Sequence, residues 1–129
     1  MQNVRLYLSV LVVAVLLSGC TLIDSAVSDQ AALDSLREAG SDMTKTHPFD
    51  FYIYHPDVSG AEQICTQLRD DGFKVTVMEG AVEDEWLCLA SMSFVPSINK
   101  LTELQAEFDQ LTSLYGGEYD GWETILIPE

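Results

Sequence analysis

From Phe49 to Ile127 the spacing of the apolar residues changes in a fixed order, and that order restricts the folds open to the chain. Phe49 to Tyr54 alternates, with Phe49, Phe51 and Ile53 on one side and Tyr52 and Tyr54 on the other. Aromatic and β-branched content makes it a strand, and apolar character on both sides makes it a central one. Ser59-Gly-Ala-Glu62 reads as a capping box; Ala61, Ile64, Cys65 and Leu68 then follow a helical stripe that stops at Gly72. Phe73 to Met78 alternates as a second strand. The polar segment Glu79 to Glu85 is a loop, and Trp86 to Met92 is a third strand, closing a hairpin. Ser97 can cap a long helix, because Ile98, Leu101, Leu104, Phe108, Leu111 and Leu114/Tyr115 hold helical spacing up to Gly116-Gly117. Trp122 to Ile127 is the last strand, ended by Pro128. The order β-α-β-β-α-β specifies an α+β, ferredoxin-like sandwich: a four-stranded antiparallel sheet with both helices on one face and strand order 4-1-3-2.

The joint between the long helix and the last strand is Gly116-Gly117-Glu118-Tyr119-Asp120-Gly121-Trp122-Glu123. Paired glycines end a helix in left-handed conformations, and the two large rings anchor the returning chain. The joint contains neither a nucleophile nor a metal cage.

At 129 residues the chain has room for one core. It carries 21 acidic and 6 basic residues, a net charge of −15, which repels nucleic-acid phosphates and anionic lipid headgroups. Direct binding to nucleic acid is therefore not expected.

Residues 1–19 have the form of an export signal. Arg5 supplies the positive start, Leu6 to Leu17 is apolar apart from Ser9, and small residues precede Cys20. Twelve residues are too few to span a bilayer comfortably. Leu17-Ser18-Gly19-Cys20 resembles a bacterial lipobox, in which the peptide is cut before the cysteine and the cysteine carries fatty acyl chains, palmitate among them. Thr21, in place of Asp, favours the outer membrane over the inner. Cleavage would remove Arg5 and no acid, moving the net charge from −15 to −16. The expected divisions are a signal peptide at 1–19, a lipidated tether at 20–46 and a domain at 47–129. Within the tether, Ala32, Leu33 and Leu36 fall on one face of a short helix from about Asp29 to Ala39, with a flexible linker as the alternative.

The domain resembles the regulator of ribonuclease E activity B (RraB) family, the RNase E inhibitor proteins, over roughly His47 to Ile127. The resemblance rests on His47-Pro48-Phe49-Asp50, Asp71-Gly72-Phe73, Trp86 and Val95-Pro96. Its most specific part is Glu118-Tyr119-Asp120-Gly121-Trp122. It implies a ferredoxin-type domain that binds protein, performs no catalysis and needs no cofactor. The inhibitor that gives the family its name works in the cytoplasm, where an exported chain does not meet its target. The expected role is therefore that of a non-enzymatic envelope lipoprotein facing the periplasm, which binds a basic protein partner and meets the membrane through the lipid on Cys20. The alternatives are a structural or assembly spacer and, if the signal is not used, a ribonuclease E regulator of the cytoplasmic type.

Tyr52, Tyr54, Glu118, Tyr119, Asp120, Trp122 and Glu123 are the candidate protein-binding residues, as aromatic anchors with acidic neighbours. Burial of the rings under the N-terminal segment is the competing reading. Other constellations are weaker. Cys65 and Cys88 are expected to remain unpaired, as buried small hydrophobes, because a helix packs about 10 Å above a sheet and a disulfide needs Cα atoms within about 7 Å. His55 with Asp57 is a conceivable acid-base pair, but His47 has no evident partner, and metal-ligand spacings and a nucleophile elbow are both lacking. Glu83-Asp84-Glu85 and Asp70-Asp71 lack EF-hand spacing and read as solvated loop.

Overall fold

A computed structural model describes the backbone of residues 5–6 and 22–129, and side chains from Ala26 onward. The proposed signal peptide and Cys20 otherwise lie outside the described residues. In chain order the elements are β1 (Arg5–Leu6), α1 (Leu22–Glu38), β2 (His47–His55), α2 (Val58–Asp70), β3 (Lys74–Glu79), β4 (Trp86–Phe94), α3 (Ile98–Tyr115) and β5 (Glu118–Ile125). The sheet order is β1-β5-β2-β4-β3, every described pairing is antiparallel, and β2 to β5 keep the expected 4-1-3-2 arrangement. The two-residue β1 pairs Arg5 with Ile125 and Leu6 with Thr124 on the outer edge of β5.

Alternation along β2 separates the two sides of the sheet. Phe49, Phe51 and Ile53 are buried under the helices, while Asp50, Tyr52 and Tyr54 are half-buried on the other side. The helix side is a continuous aromatic and aliphatic core. Phe49 stacks on Phe94 with centroids 4.2 Å apart and meets Trp122 edge-on at 5.4 Å. Phe108 of α3 lies 5.0 Å from Phe51 and 4.9 Å from Tyr119. Offset and edge-on contacts of this kind add to the area the rings bury.

Helix ends follow local chemistry, with one departure from expectation. The Ser97 hydroxyl accepts the Lys100 N–H at the start of α3, and the Gly116 N–H (φ 87°) donates to the Thr112 carbonyl at its end. The first residue of α2 is Val58, so Asp57 and not Ser59 is the cap residue, and no side chain closes a capping box. The Asp57 carbonyl accepts the Ala61 N–H, while the Asp57 N–H is taken by His55 Nδ1.

Two expectations change. Helix α1 is longer than expected, and Ala32, Leu33 and Leu36 are buried in the common core, which excludes a flexible linker over that stretch. Cys65 and Cys88 form a disulfide, with Cα atoms 5.7 Å apart. The spacing of about 10 Å applies to the helix axis. A Cα on the underside sits about 2.3 Å below that axis, and small residues such as Ala61 and Ala90, both fully buried, let α2 settle close to β4.

Candidate functional site

The last strand decides which candidate residues come together. The structure starts β5 at Glu118, four residues before the expected Trp122, so most of the joint is strand. Tyr52 pairs with Gly121 and Ile53 with Tyr119, leaving Asp120 as an extra, bulged residue. Gly121 has φ 114°, a conformation that L side chains rarely adopt. In a regular strand, positions 119 and 122 would face opposite sides. The bulge turns both rings toward the helices, where Tyr119 and Trp122 are buried. They are core residues, so the expected aromatic binding face loses these two members.

The remaining five candidates lie on the opposite side of the sheet. Cross-strand pairing there builds rows perpendicular to the strands: Met78, Leu87, Tyr54 and Glu118 in one, and Thr76, Leu89, Tyr52 and Gly121 in the next. A third row holds Lys74, Ser91, Asp50 and Glu123. Among the described residues no helix packs on this face. Its centre is apolar, and acidic side chains gather at the Tyr54–Glu118 end. The Tyr52 hydroxyl donates to Glu123 at 2.5 Å and the Ser91 hydroxyl to Asp50 at 2.6 Å, which holds that end of the face in one arrangement. Leu87, Leu89, Met78 and Glu85 were missed as site residues. The alternation of Trp86–Met92 marked a strand but did not say which side would be covered.

At the other end the carboxylates crowd one another. Burial raises the Asp120 carboxyl above its ordinary value, and the negative charges of Glu118 and Glu85 raise it further. The Tyr54 phenol is likewise pushed up, by burial first and then by Asp120 and Glu85. Beside Tyr54 a cleft of about 290 Å³ is lined by His55, Pro56, Asp84, Glu85, Gly117 and Glu118. It adjoins a second hollow of about 300 Å³ inside the β3–β4 loop, lined by residues 79–86 and sharing Asp84 and Glu85. Such a surface attracts positive charge and repels phosphate.

Both histidines are structural tie-points. His55 Nε2–H donates to the Tyr115 carbonyl at 2.8 Å, and its Nδ1 accepts the Asp57 N–H at 2.9 Å. The ring joins the end of β2 to the start of α2 and the end of α3. It meets the backbone of Asp57, so the acid-base pairing does not form. A Cβ on Gly60 would lie 2.1 Å from this ring, and one on Gly117 would lie 2.5 Å from the Tyr54 carbonyl. Close approach therefore requires glycine at both positions.

The fully buried His47 Nδ1–H donates to the Lys45 carbonyl at 2.8 Å, and its Nε2 receives the Ser41 hydroxyl at 2.6 Å. Ser41 Oγ also accepts the Ile127 N–H at 3.0 Å, and the Asp42 N–H donates to the Ile127 carbonyl. This serine-histidine pair fastens the chain leaving β5 to the segment entering β2. Its hydroxyl is buried and already engaged as both donor and acceptor, unlike an accessible nucleophile.

Asp29 links α1 to the core by accepting the Trp122 Nε1–H at 2.9 Å. Burial raises its carboxyl to about 6, against the lowering effect of that hydrogen bond. Glu107 on α3 is pushed to about 7 by burial, then by its hydrogen bond with Asp71 and that residue's charge, with smaller effects from Lys100 and Glu103. This acid pair joins α2 to α3. Among the described residues, no group of three or more His, Cys, Asp or Glu side chains has the arrangement of a metal site.

Fold and site together define a ferredoxin-like α+β domain whose helices cover one sheet face; among the described residues no helix covers the other, which carries apolar side chains with acidic neighbours. A family model described as "Regulator of ribonuclease activity B" matches residues 27–124, about three quarters of the chain, and the chain belongs to that family. The match begins inside α1, twenty residues before His47, in agreement with the burial of that helix. The family is one of regulators of ribonuclease activity, which suggests a regulatory, protein-binding role. A search of curated proteins gave no match.

Proposed function

We propose that this protein is a lipid-anchored regulator of the cell envelope, which works by binding another protein on the sheet face turned away from the helices. The carrying observation is that face itself, on a domain of a regulatory family: Tyr52, Tyr54, Leu87 and Leu89 in the middle, with Glu85, Glu118 and Asp120 at the rim. An apolar centre with a polar rim is the general anatomy of a protein interface. Attachment is through Cys20, at the end of the lipobox-like run. The Cys65–Cys88 disulfide accords with an oxidising compartment such as the periplasm. Inhibition of ribonuclease E, the activity of the family's namesake, is a capacity the domain can retain even where export keeps it from that enzyme.

Metabolic labelling with a fatty acid tests the anchor. Label is expected in the parent and lost in Cys20→Ser; its retention in the variant, or absence from the parent, removes the assignment. Partner capture with the processed chain extracted in mild detergent tests the binding role. Recovery is expected to fall as salt rises, since rim charges are screened over about 8–10 Å at physiological ionic strength. No recovered partner in any condition would favour the spacer reading. Purified ribonuclease E in the same assay tests the retained capacity directly.

A further inference from the structure

We propose that the hollow between α2 and the end of α3 is a binding site for a neutral oligosaccharide, whose hydroxyls are read by the Gln63 and Gln67 amides while a pyranose ring rests against Tyr115. The site belongs to the helix layer and does not depend on the protein-binding reading above. Its volume is about 380 Å³, and its lining is Ser59, Glu62, Gln63, Thr66, Gln67 and Tyr115. The five α2 side chains are exposed and Tyr115 is half-buried, so the hollow opens to solvent.

His55 fixes the two walls relative to one another. Its Nδ1 accepts the Asp57 N–H just before α2, and its Nε2–H donates to the carbonyl of Tyr115 at the end of α3. Gly60, buried against the imidazole, lets the first turn of α2 come that close. Tyr115 also packs on the hydrophobic core, so its ring is held before any ligand arrives. Walls fixed in advance lower the ordering cost of binding.

Ser59, Gln63 and Gln67 follow one another at intervals of four along α2, about 6 Å per step and about 12 Å in all, which accommodates a disaccharide. Amides in the other helices are already engaged: Gln30 donates to Asp34 and Gln105 to Asp109, one turn further on. Among the described residues, the side chains of Ser59, Gln63 and Gln67 have no such partner. Each amide offers donors and an acceptor together, the complement of neighbouring sugar hydroxyls. The Thr66 hydroxyl donates to the Glu62 carbonyl at 2.8 Å and keeps its capacity to accept. The tyrosine supplies a flat apolar body with a polar tip, suited to the C–H face of a pyranose. Charge then selects within the class. Glu62 is the only carboxylate in the lining and no basic side chain is present, while the net charge of −15 repels phosphorylated, sulfated and uronic sugars. No aliphatic side chain lines the hollow, which therefore lacks pockets for the apolar anchors of a peptide.

The test uses the full chain in a sugar-free mild detergent, titrated with the trisaccharide of N-acetylglucosamine and, separately, with maltotriose. NMR shift changes are expected at the Gln63 and Gln67 side-chain amides and at Tyr115 with at least one of these sugars. A Gln63→Ala/Gln67→Ala double variant should bind that sugar at least about tenfold more weakly, since two hydrogen-bonding groups are lost. Both changes fall at exposed helix positions, where alanine is the best helix former, and an unchanged or raised melting temperature confirms the fold. Shift changes with neither sugar at millimolar concentration, shift changes centred elsewhere, or equal affinity of the variant would overturn the proposal. Tighter binding of a hyaluronan fragment would overturn it by making an acidic glycan the ligand. Tighter binding of a neutral Ala/Ser peptide would do so by making the hollow a peptide site. Any of these results leaves the sheet-face proposal standing, and failure to capture a protein partner leaves this one standing.

Discussion

The two sides of one sheet, carried on the same strands, are built by different rules. On the helix side Phe49, Phe51, Ile53, Cys88, Ala90 and Trp122 are nearly inaccessible. Their polar exceptions are individually satisfied, and among the described residues no buried side-chain nitrogen or oxygen lacks a partner. On the other side, one residue away along each strand, side chains range from the buried Leu87 and Glu123 to the exposed Met78 and Glu118, and carboxylates face one another. The first side is organised for stability and the second tolerates repulsion. A surface that keeps Glu85, Glu118 and Asp120 close together sacrifices some folding free energy to an electrostatic field. The difference locates function: substitutions on the helix side should act through stability, and those on the open side through binding.

The largest expected effect is on the helix side. Phe108→Ala removes a ring that touches Phe51, Phe73 and Tyr119 and should cost about 3–5 kcal/mol in denaturant unfolding. A loss under about 1 kcal/mol would show that α3 packs elsewhere. Next, Cys88→Ala should cost about 3 kcal/mol, because the bond closes a loop across a separation of 23 residues. The parent under reducing conditions should lose a similar amount, and no change in either would mean that the bond does not form.

A smaller effect with a distinct pH signature belongs to Asp29. Its carboxyl is raised by burial from 3.8 to about 6, so the folded state holds the proton more tightly than the unfolded state. Stability from this group is therefore fully present below about pH 4, declines as pH rises toward 6, and stays reduced above that. Asp29→Asn keeps the acceptor for Trp122 and removes the buried charge. It should gain about 1–3 kcal/mol at pH 7.5 and nothing at pH 3.5. A gain that does not depend on pH would refute the account.

The smallest stability effect sharpens the contrast. Leu89→Thr, on the half-buried open face, should change stability by less than about 1 kcal/mol, since threonine suits a strand and little burial is lost. The same change should weaken partner capture. Paired melting and capture measurements check it, and a large loss of stability would mean that this face is part of the core.

Much of this architecture was legible in the residues. Apolar periods of two and of about 3.6 specified six elements in order, and that order matches the ferredoxin-like plan with its 4-1-3-2 sheet. Ser97 and Gly116 marked the ends of α3 because cap chemistry is local. The acidity that repels nucleic acid was likewise a matter of counting. What stayed hidden depends on one residue of register or on a distance through space. Asp120 bulges because Gly121 can adopt a positive φ, and that bulge sends Tyr119 and Trp122 into the core; glycine in the sequence announces the freedom but not its use. Similarly, Asp29 meets Trp122 across 93 positions and Cys65 meets Cys88 where small side chains let α2 sit low on the sheet. Pattern reports which side of an element is apolar. Whether a second layer covers it, and how closely, is decided by packing among segments far apart in the chain.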